Sequence, residues 1–199
     1  MYDFLISEIM NQNLNLFYYI NSGINNSFLD ITMPFISIFG SFYAWTLFCF
    51  LLLIFGGKKA KKVAILGLTA LFLAKFVVEI LKSGVAEPRP SVTLSNVNLL
   101  VSPNNSYAFP SSHAASSFAI ATIIGLKYNF NLGDNKYRLI YPLMVFAAII
   151  SFSRIYVGEH YPLDVLCGAI IGVASAMIVL KYEKLLTTWI KTIWKKYYR

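Results

Sequence analysis

Long apolar runs separated by short clusters of charge constrain this chain more than any other feature. Five of them stand out: Ile31–Phe55, Val63–Leu81, His113–Leu126, Leu139–Val157 and Tyr161–Leu180. In hydrocarbon a backbone must satisfy its own N–H and C=O groups, and runs of this length do so as helices. With 57% hydrophobic and 13% charged residues, the 199-residue chain reads as one membrane-embedded domain, residues 1–199. The expected fold is all-α, an integral membrane bundle of about five transmembrane helices. Pro34 is expected in the first turn of the first span, where proline is tolerated. Gly56–Lys62 reads as a strongly basic turn, and a second turn contains Gly133, Asp134 and Asn135. The third run is short unless it extends into Tyr128 and Phe130. Residues 1–28 interleave Phe4, Leu5, Phe17 and Ile20 with Asp3, Glu8, Asn11 and Asn13. That mixture predicts an N-terminal interfacial helix, with a sixth membrane helix as the alternative.

The net charge of +8 does not point to nucleic acid, because the charges gather at helix ends. Thirteen of the 17 Lys and Arg residues fall on one side once the spans alternate: four in Lys58–Lys62, three at Lys127, Lys136 and Arg138, and six from Lys181 to Arg199. The positive-inside rule makes that side cytoplasmic, together with the C-terminus. The remaining cations are Lys75, Lys82, Arg89 and Arg154. The chain is therefore expected in the plasma membrane as a multi-pass protein with Lys82, Arg89 and Arg154 facing outward. Trp45, Tyr156, Tyr161, Trp189 and Trp194 read as an interfacial aromatic belt.

Those three cations lie in ordered motifs. Lys82-x6-Arg89-Pro90 follows the second span, Pro110-Ser111-Ser112-His113 opens the third, and Ser153-Arg154-x5-His160-x3-Asp164 joins the fourth to the fifth. Both histidines of the chain and one carboxylate thus share an end with three cations. Titratable groups near a bilayer are costly, and six together predict an anion site with a histidine able to attack its occupant. The starts of the third and fifth spans would aim free N–H groups at that pocket, with Ser111 or Ser112 as helix cap and phosphate donor. Lys75 and Glu79 lie four apart and read either as an ion pair or as support beneath the phosphate. Ser153 reads as hydrogen-bond support or as packing. Glu87 and Glu159 flank site residues and read as exposed loop acids, with tuning of those site residues as the alternative.

The three motifs resemble the signature of the type 2 phosphatidic acid phosphatase superfamily, which shares its core with vanadium haloperoxidases. The family pattern is Lys-x6-Arg-Pro, Pro-Ser-Gly-His and Ser-Arg-x5-His-x3-Asp. The first and third are matched completely, and Ser112 stands where the family usually has Gly. The resemblance covers about residues 75–175. It implies that Lys82, Arg89 and Arg154, with Ser111 and Ser112, bind the phosphate. It further implies that His160 attacks phosphorus to give a phosphohistidine, and that Asp164 orients His160. His113 would protonate the leaving oxygen and then activate water. No metal or cofactor is called for.

The small size and the early Asn26–Asp30 segment resemble the bacitracin-resistance type of undecaprenyl pyrophosphate phosphatase. That implies a lipid phosphate drawn from among the surrounding membrane lipids, undecaprenyl diphosphate being hydrolysed to the monophosphate. The alternatives are a phosphatidate or phosphatidylglycerophosphate phosphatase, transfer to an acceptor other than water, and a non-enzymatic lipid-binding membrane protein.

Overall fold

The computed structural model describes residues 2–132, 135–186 and 188. In chain order the helices are α1 (Tyr2–Tyr18), α2 (Ser27–Ile38), α3 (Phe42–Phe55), α4 (Lys58–Val85), the single turn α5 (Pro90–Thr93), α6 (Ser112–Lys127), α7 (Ile140–Tyr156) and α8 (Pro162–Lys181). A π-helical turn, Tyr19–Gly23, follows α1. Strands β1 (Asn129–Leu132) and β2 (Asn135–Arg138) form an antiparallel hairpin between α6 and α7, pairing Asn129 with Arg138. By length and apolarity the α4 segment and α8 can each cross a membrane, and the bent pair α2–α3 can do so as one span.

Several expectations are corrected. The first span is two helices bent by 53°. Asn26 caps α2, its side-chain oxygen accepting from the Leu29 N–H at 3.0 Å. Ser41 starts α3 by accepting from the Ala44 N–H at 3.1 Å. Pro34 therefore lies inside α2 rather than in its first turn, while the bend falls at the Phe39–Ser41 break. Lys58–Lys62 is not a turn but the first turn of α4, a 28-residue helix about 42 Å long. Alternation of apolar and polar residues after Lys127 takes the chain into β1, so Phe130 stacks on Tyr137 across the hairpin, with ring centroids 5.5 Å apart, instead of extending α6. Residues 1–28 are mostly helical, and Asn13, Phe17, Ile20 and Asn21 are buried against the rest of the chain. Tyr156 and Tyr161 are buried rather than interfacial, with the Tyr156 hydroxyl donating to Asp30 at 2.7 Å. Gly133, Asp134, Trp189, Trp194, Lys191, Lys195, Lys196 and Arg199 lie outside the described residues.

The core runs along α4, α6 and α8, where Leu66, Ala70, Ala74 and Val78 meet Ala115, Ala119, Ile123, Ala176 and Val179. Lipid is as apolar as these side chains, so close packing, rather than expulsion of water, is what holds such helices together. Small residues make it close. A Cβ added to Gly168 of α8 would sit 2.5 Å from the Ser111 carbonyl oxygen. One added to Gly172 would collide with the Ala115 carbonyl and come within 3.0 Å of the Ala119 nitrogen. The backbones of α6 and α8 are therefore in direct contact, which brings their N-terminal ends side by side. At the opposite end Glu183 pairs with Lys62 at 2.6 Å and also with Lys127. Neighbouring helices thus hold their basic ends together, away from the Lys82 end of α4.

Gly172→Ala should lower the unfolding midpoint in detergent, corresponding to about 1–3 kcal/mol of overpacking. Gly84→Ala, where an added Cβ meets nothing within 4 Å, should leave it unchanged or raise it slightly. Equal midpoints for the two variants would contradict the close α6–α8 contact.

Candidate active site

Lys82 occupies the last turn of α4, which ends when Ala86 enters the left-handed region at φ 50° and its N–H returns to the Lys82 carbonyl at 2.9 Å. The Lys82 ammonium is buried and donates to the carbonyls of Tyr107 and Ala108, the latter at 3.3 Å. Arg89 precedes Pro90, whose missing N–H and fixed φ suit the first position of α5. Its guanidinium donates through Nε to the Ser106 carbonyl at 2.8 Å and through Nη2 to the Ser106 hydroxyl at 2.8 Å. Carbonyls from one stretch of the long loop, residues 106–108, thus hold both cations.

Arg154 lies in the last turn of α7, almost fully buried. Its Nη1 donates to Ser37 of α2 and its Nη2 to Glu159 Oε2 at 3.3 Å. Gly158, at φ 82°, then turns the chain in a conformation that favours glycine. That turn buries Glu159, which is 1% exposed and forms ion pairs with both Arg154 and Arg89. The expectation of an exposed loop acid is corrected here: two buried guanidiniums need a counter-charge, and Glu159 supplies it. Glu87 is half-buried rather than exposed, and burial raises its carboxyl above the ordinary range.

His160 follows directly and is 2% exposed. Its Nδ1 faces Asp164 Oδ2 at 3.3 Å, while Arg89 Nη1 lies 3.3 Å from its Nε2. A guanidinium cannot accept, so Nε2 is the unprotonated nitrogen and the Nδ1–H points at the carboxylate. Asp164 is held in turn by the Tyr161 N–H at 2.8 Å, an arrangement that also caps α8. Burial is the first cause that depresses the His160 pKa well below the ordinary histidine value, followed by Arg89 and Arg154. The ring is therefore neutral around pH 7, with a free lone pair on Nε2.

Ser111 caps α6, its hydroxyl accepting from the Ala114 N–H at 3.4 Å, and its own N–H donates to the Asp164 carbonyl at 3.0 Å. Ser112 and His113 are half-buried in the first turn of α6. The α2–α3 break sets Gly40 against His113: a Cβ there would lie 3.2 Å from the ring Cδ2. His113 is within electrostatic reach of Arg154, Arg89, Lys82 and His160.

The structure thus brings Lys82, Arg89, Ser111, His113, Arg154, His160 and Asp164 to one end of the bundle. It does not bring the Ser153 hydroxyl to that cluster, because that hydroxyl donates to the Ile150 carbonyl at 2.6 Å. Lys75 and Glu79 pair at 2.6 Å on an exposed face, at 39% and 51% exposure, so they form the ion-pair alternative. Sequence reasoning missed Ser37 and Ser106, and it carried Glu159 only as the alternative of an acid that tunes its site neighbours. Of these, only Glu159 carried a signal, its position between a buried arginine and a buried histidine. Beside Glu87 and the start of α8 opens a largely apolar cleft of about 560 Å³, lined by Met10, Asn13, Val85, Pro88, Phe109 and Leu163 among others.

Known proteins resemble this chain in sequence and in fold. The PAP2 superfamily model matches residues 62–188. The chain is 31% identical over 175 residues to undecaprenyl-diphosphatase BcrC of Bacillus subtilis, covering 87% of this chain and 84% of the relative. It is 32% identical over 158 residues to an undecaprenyl-diphosphatase of Sulfolobus acidocaldarius, covering 78% and 71%. The crystal structure of Aquifex aeolicus LpxE superposes with a TM-score of 0.71 at 35% identity, covering 86% of this chain and 96% of that one. With the family pattern matching well over half the chain and the charged residues of its motifs converging at one end of an apolar helical bundle, the chain belongs to the PAP2 superfamily and is a membrane phosphatase.

Proposed function

We propose that this phosphatase removes the terminal phosphate of undecaprenyl diphosphate at the outer face of the membrane, through a phosphohistidine at His160. The observation that carries the chemistry is the His160 ring between Asp164 at Nδ1 and Arg89 at Nε2. The names of the BcrC-like relatives support the substrate, and the apolar cleft beside Glu87 suits a long isoprenoid chain.

In this reading the terminal phosphate enters among Lys82, Arg89 and Arg154, with Ser111 and Ser112 at the start of α6 nearby. Arg89 Nη1 exchanges Nε2 for a phosphate oxygen. His160 Nε2 then forms a bond to phosphorus as the bond from phosphorus to the bridging oxygen breaks. The electron pair leaves with that oxygen, which takes a proton from His113. The Nδ1–H to Asp164 stabilises the positive charge gained by the imidazole. Water, deprotonated by His113, next attacks phosphorus, the N–P bond breaks, and His160 is regenerated. The cations stabilise the charge on the equatorial oxygens in both steps. The five-span bundle, with residues 1–28 along the interface, belongs to this reading, as does a cytoplasmic C-terminus.

The experiment that tests the substrate is phosphate release by the purified protein from undecaprenyl diphosphate and phosphatidate in parallel. Preference for the diphosphate is expected; preference for phosphatidate would move the protein to glycerolipid metabolism. His160→Ala should abolish turnover, whereas His113→Ala should slow hydrolysis by roughly 10²–10⁴-fold. Labelled substrate should leave acid-labile phosphate on the His113 variant and none on the His160 variant, and label on both would displace His160 as nucleophile. Because the folded pKa of His160 is lowered, the acid limb of kcat/KM should lie below the ordinary histidine range; a limb near pH 6.5 that persists in the residual turnover of His113→Ala, which still uses His160, would contradict it. For orientation, Ser102→Cys in the exposed part of the Ser91–Ala108 loop should react with an impermeant thiol reagent added outside intact cells. Labelling only after the membrane is opened would reverse the topology.

A further inference from the structure

Glu159 takes no part in those transfer steps, yet it is 1% exposed and touches both phosphate-binding arginines. The donors of Arg89 show what this means for a phosphate. A guanidinium has five N–H groups. In Arg89 they meet the Ser106 carbonyl, the Ser106 hydroxyl and the Tyr107 carbonyl. The two hydrogens of Nη1 are shared among three acceptors, the Glu159 carbonyl at 3.0 Å, the Glu159 carboxylate and His160 Nε2 at 3.3 Å. A phosphate oxygen reaches Arg89 only by replacing one of these acceptors. The main-chain carbonyls are held by the loop and by the turn at Gly158. The Glu159 carboxylate is an anion on rotatable bonds, and the same oxygen, Oε2, is shared with Arg154. Its other oxygen, Oε1, is buried without a hydrogen-bond partner among the described residues, as is Arg154 Nε. One side of each group in the pair is therefore open to further bonding.

We propose that Glu159 is a positioning and specificity-determining residue, an internal counter-anion of the phosphate seat that sets Arg89 and Arg154 and competes with phosphate for them. The inference rests on the phosphate-seat reading above. Two buried guanidiniums repel one another and are costly without an anion, so Glu159 holds them at the spacing the substrate meets. Because it also claims their donors, a phosphate that takes the Nη1 position given up by His160 Nε2 still competes with a carboxylate for both guanidiniums. Orthophosphate, the product, is then held weakly, while the reacting group, gripped in addition by His160, still prevails. The acid thus favours release of product over retention.

The test uses the full-length protein in detergent, undecaprenyl diphosphate as substrate and orthophosphate as inhibitor. Glu159→Gln keeps the shape and one acceptor oxygen but removes the charge. It should lower the Ki for orthophosphate about tenfold, the equivalent of one charge-assisted contact regained, and lower KM and kcat together. Glu159→Asp keeps the charge and should keep a Ki near that of the wild type. A role confined to stability would not tighten inhibitor binding. An active Glu159→Gln variant with unchanged or weaker orthophosphate inhibition overturns the inference and leaves the seat intact. If the variants do not fold, the wild type decides: inhibition at roughly millimolar orthophosphate is expected, and at micromolar orthophosphate the inference fails. Wild-type turnover insensitive to orthophosphate, together with an unchanged KM in Arg154→Lys, overturns the seat itself and this inference with it.

Discussion

Three cations are buried at one end of an apolar helical bundle, and the way their burial is offset shapes everything around them. Removing an ion from water costs several kcal/mol even after relaxation, so each must be met by acceptors at bonding distance. Lys82 and Arg89 are met by loop carbonyls from Ser106 to Ala108, and Arg154 by Ser37 and Glu159. These contacts join α2, the end of α4, the long loop and the α7–α8 turn, segments far apart in sequence. The same demand that stabilises the cations therefore assembles the site.

Helix packing supplies the other half of the geometry. Gly168 and Gly172 let α8 lie against the backbone of α6, and the Ser111 N–H bonds across to the Asp164 carbonyl. Both helices begin side by side, so His113 on one lies within electrostatic reach of His160 while Asp164 on the other meets its Nδ1. Within α8 the hydrogen bond from the Tyr161 N–H to Asp164 serves two purposes. It caps the helix and fixes the carboxylate that orients the histidine tautomer. A site built on helix ends in this way is only as well defined as the interhelical contacts behind it, at Gly168 and Gly172.

Much of this was legible in advance. The runs from Leu139 and Tyr161 became α7 and α8 within a residue or two at each end, because sustained apolarity over a bilayer's thickness leaves a backbone little choice but helix. The first run reads as one helix because its average hydropathy stays high across Gly40 and Ser41, where the 53° break between Ile38 and Phe42 falls. The basic stretch Lys58–Lys62 looked like a turn because of its charge, yet lysine is a good helix former and extends α4 at its start. Residue type alone suggests the membrane interface for Tyr156 and Tyr161, whereas partners at Asp30 and Thr93 hold their hydroxyls inside.

By itself, the sequence determined the membrane class, the order and spacing of the three motifs, and the four-residue step that sets His160 and Asp164 side by side. These are properties of local spacing along the chain and of charge counted between its apolar runs. Only the tertiary structure decided that Glu159 is the buried partner of two arginines, that Ser37 bonds to Arg154 across 117 positions, and that Ser153 turns back into its own helix. The physical reason is that a buried charge is satisfied by whichever acceptor folding brings within about 3 Å. That choice depends on how distant helices pack and on where loops close, which no local pattern of residues specifies.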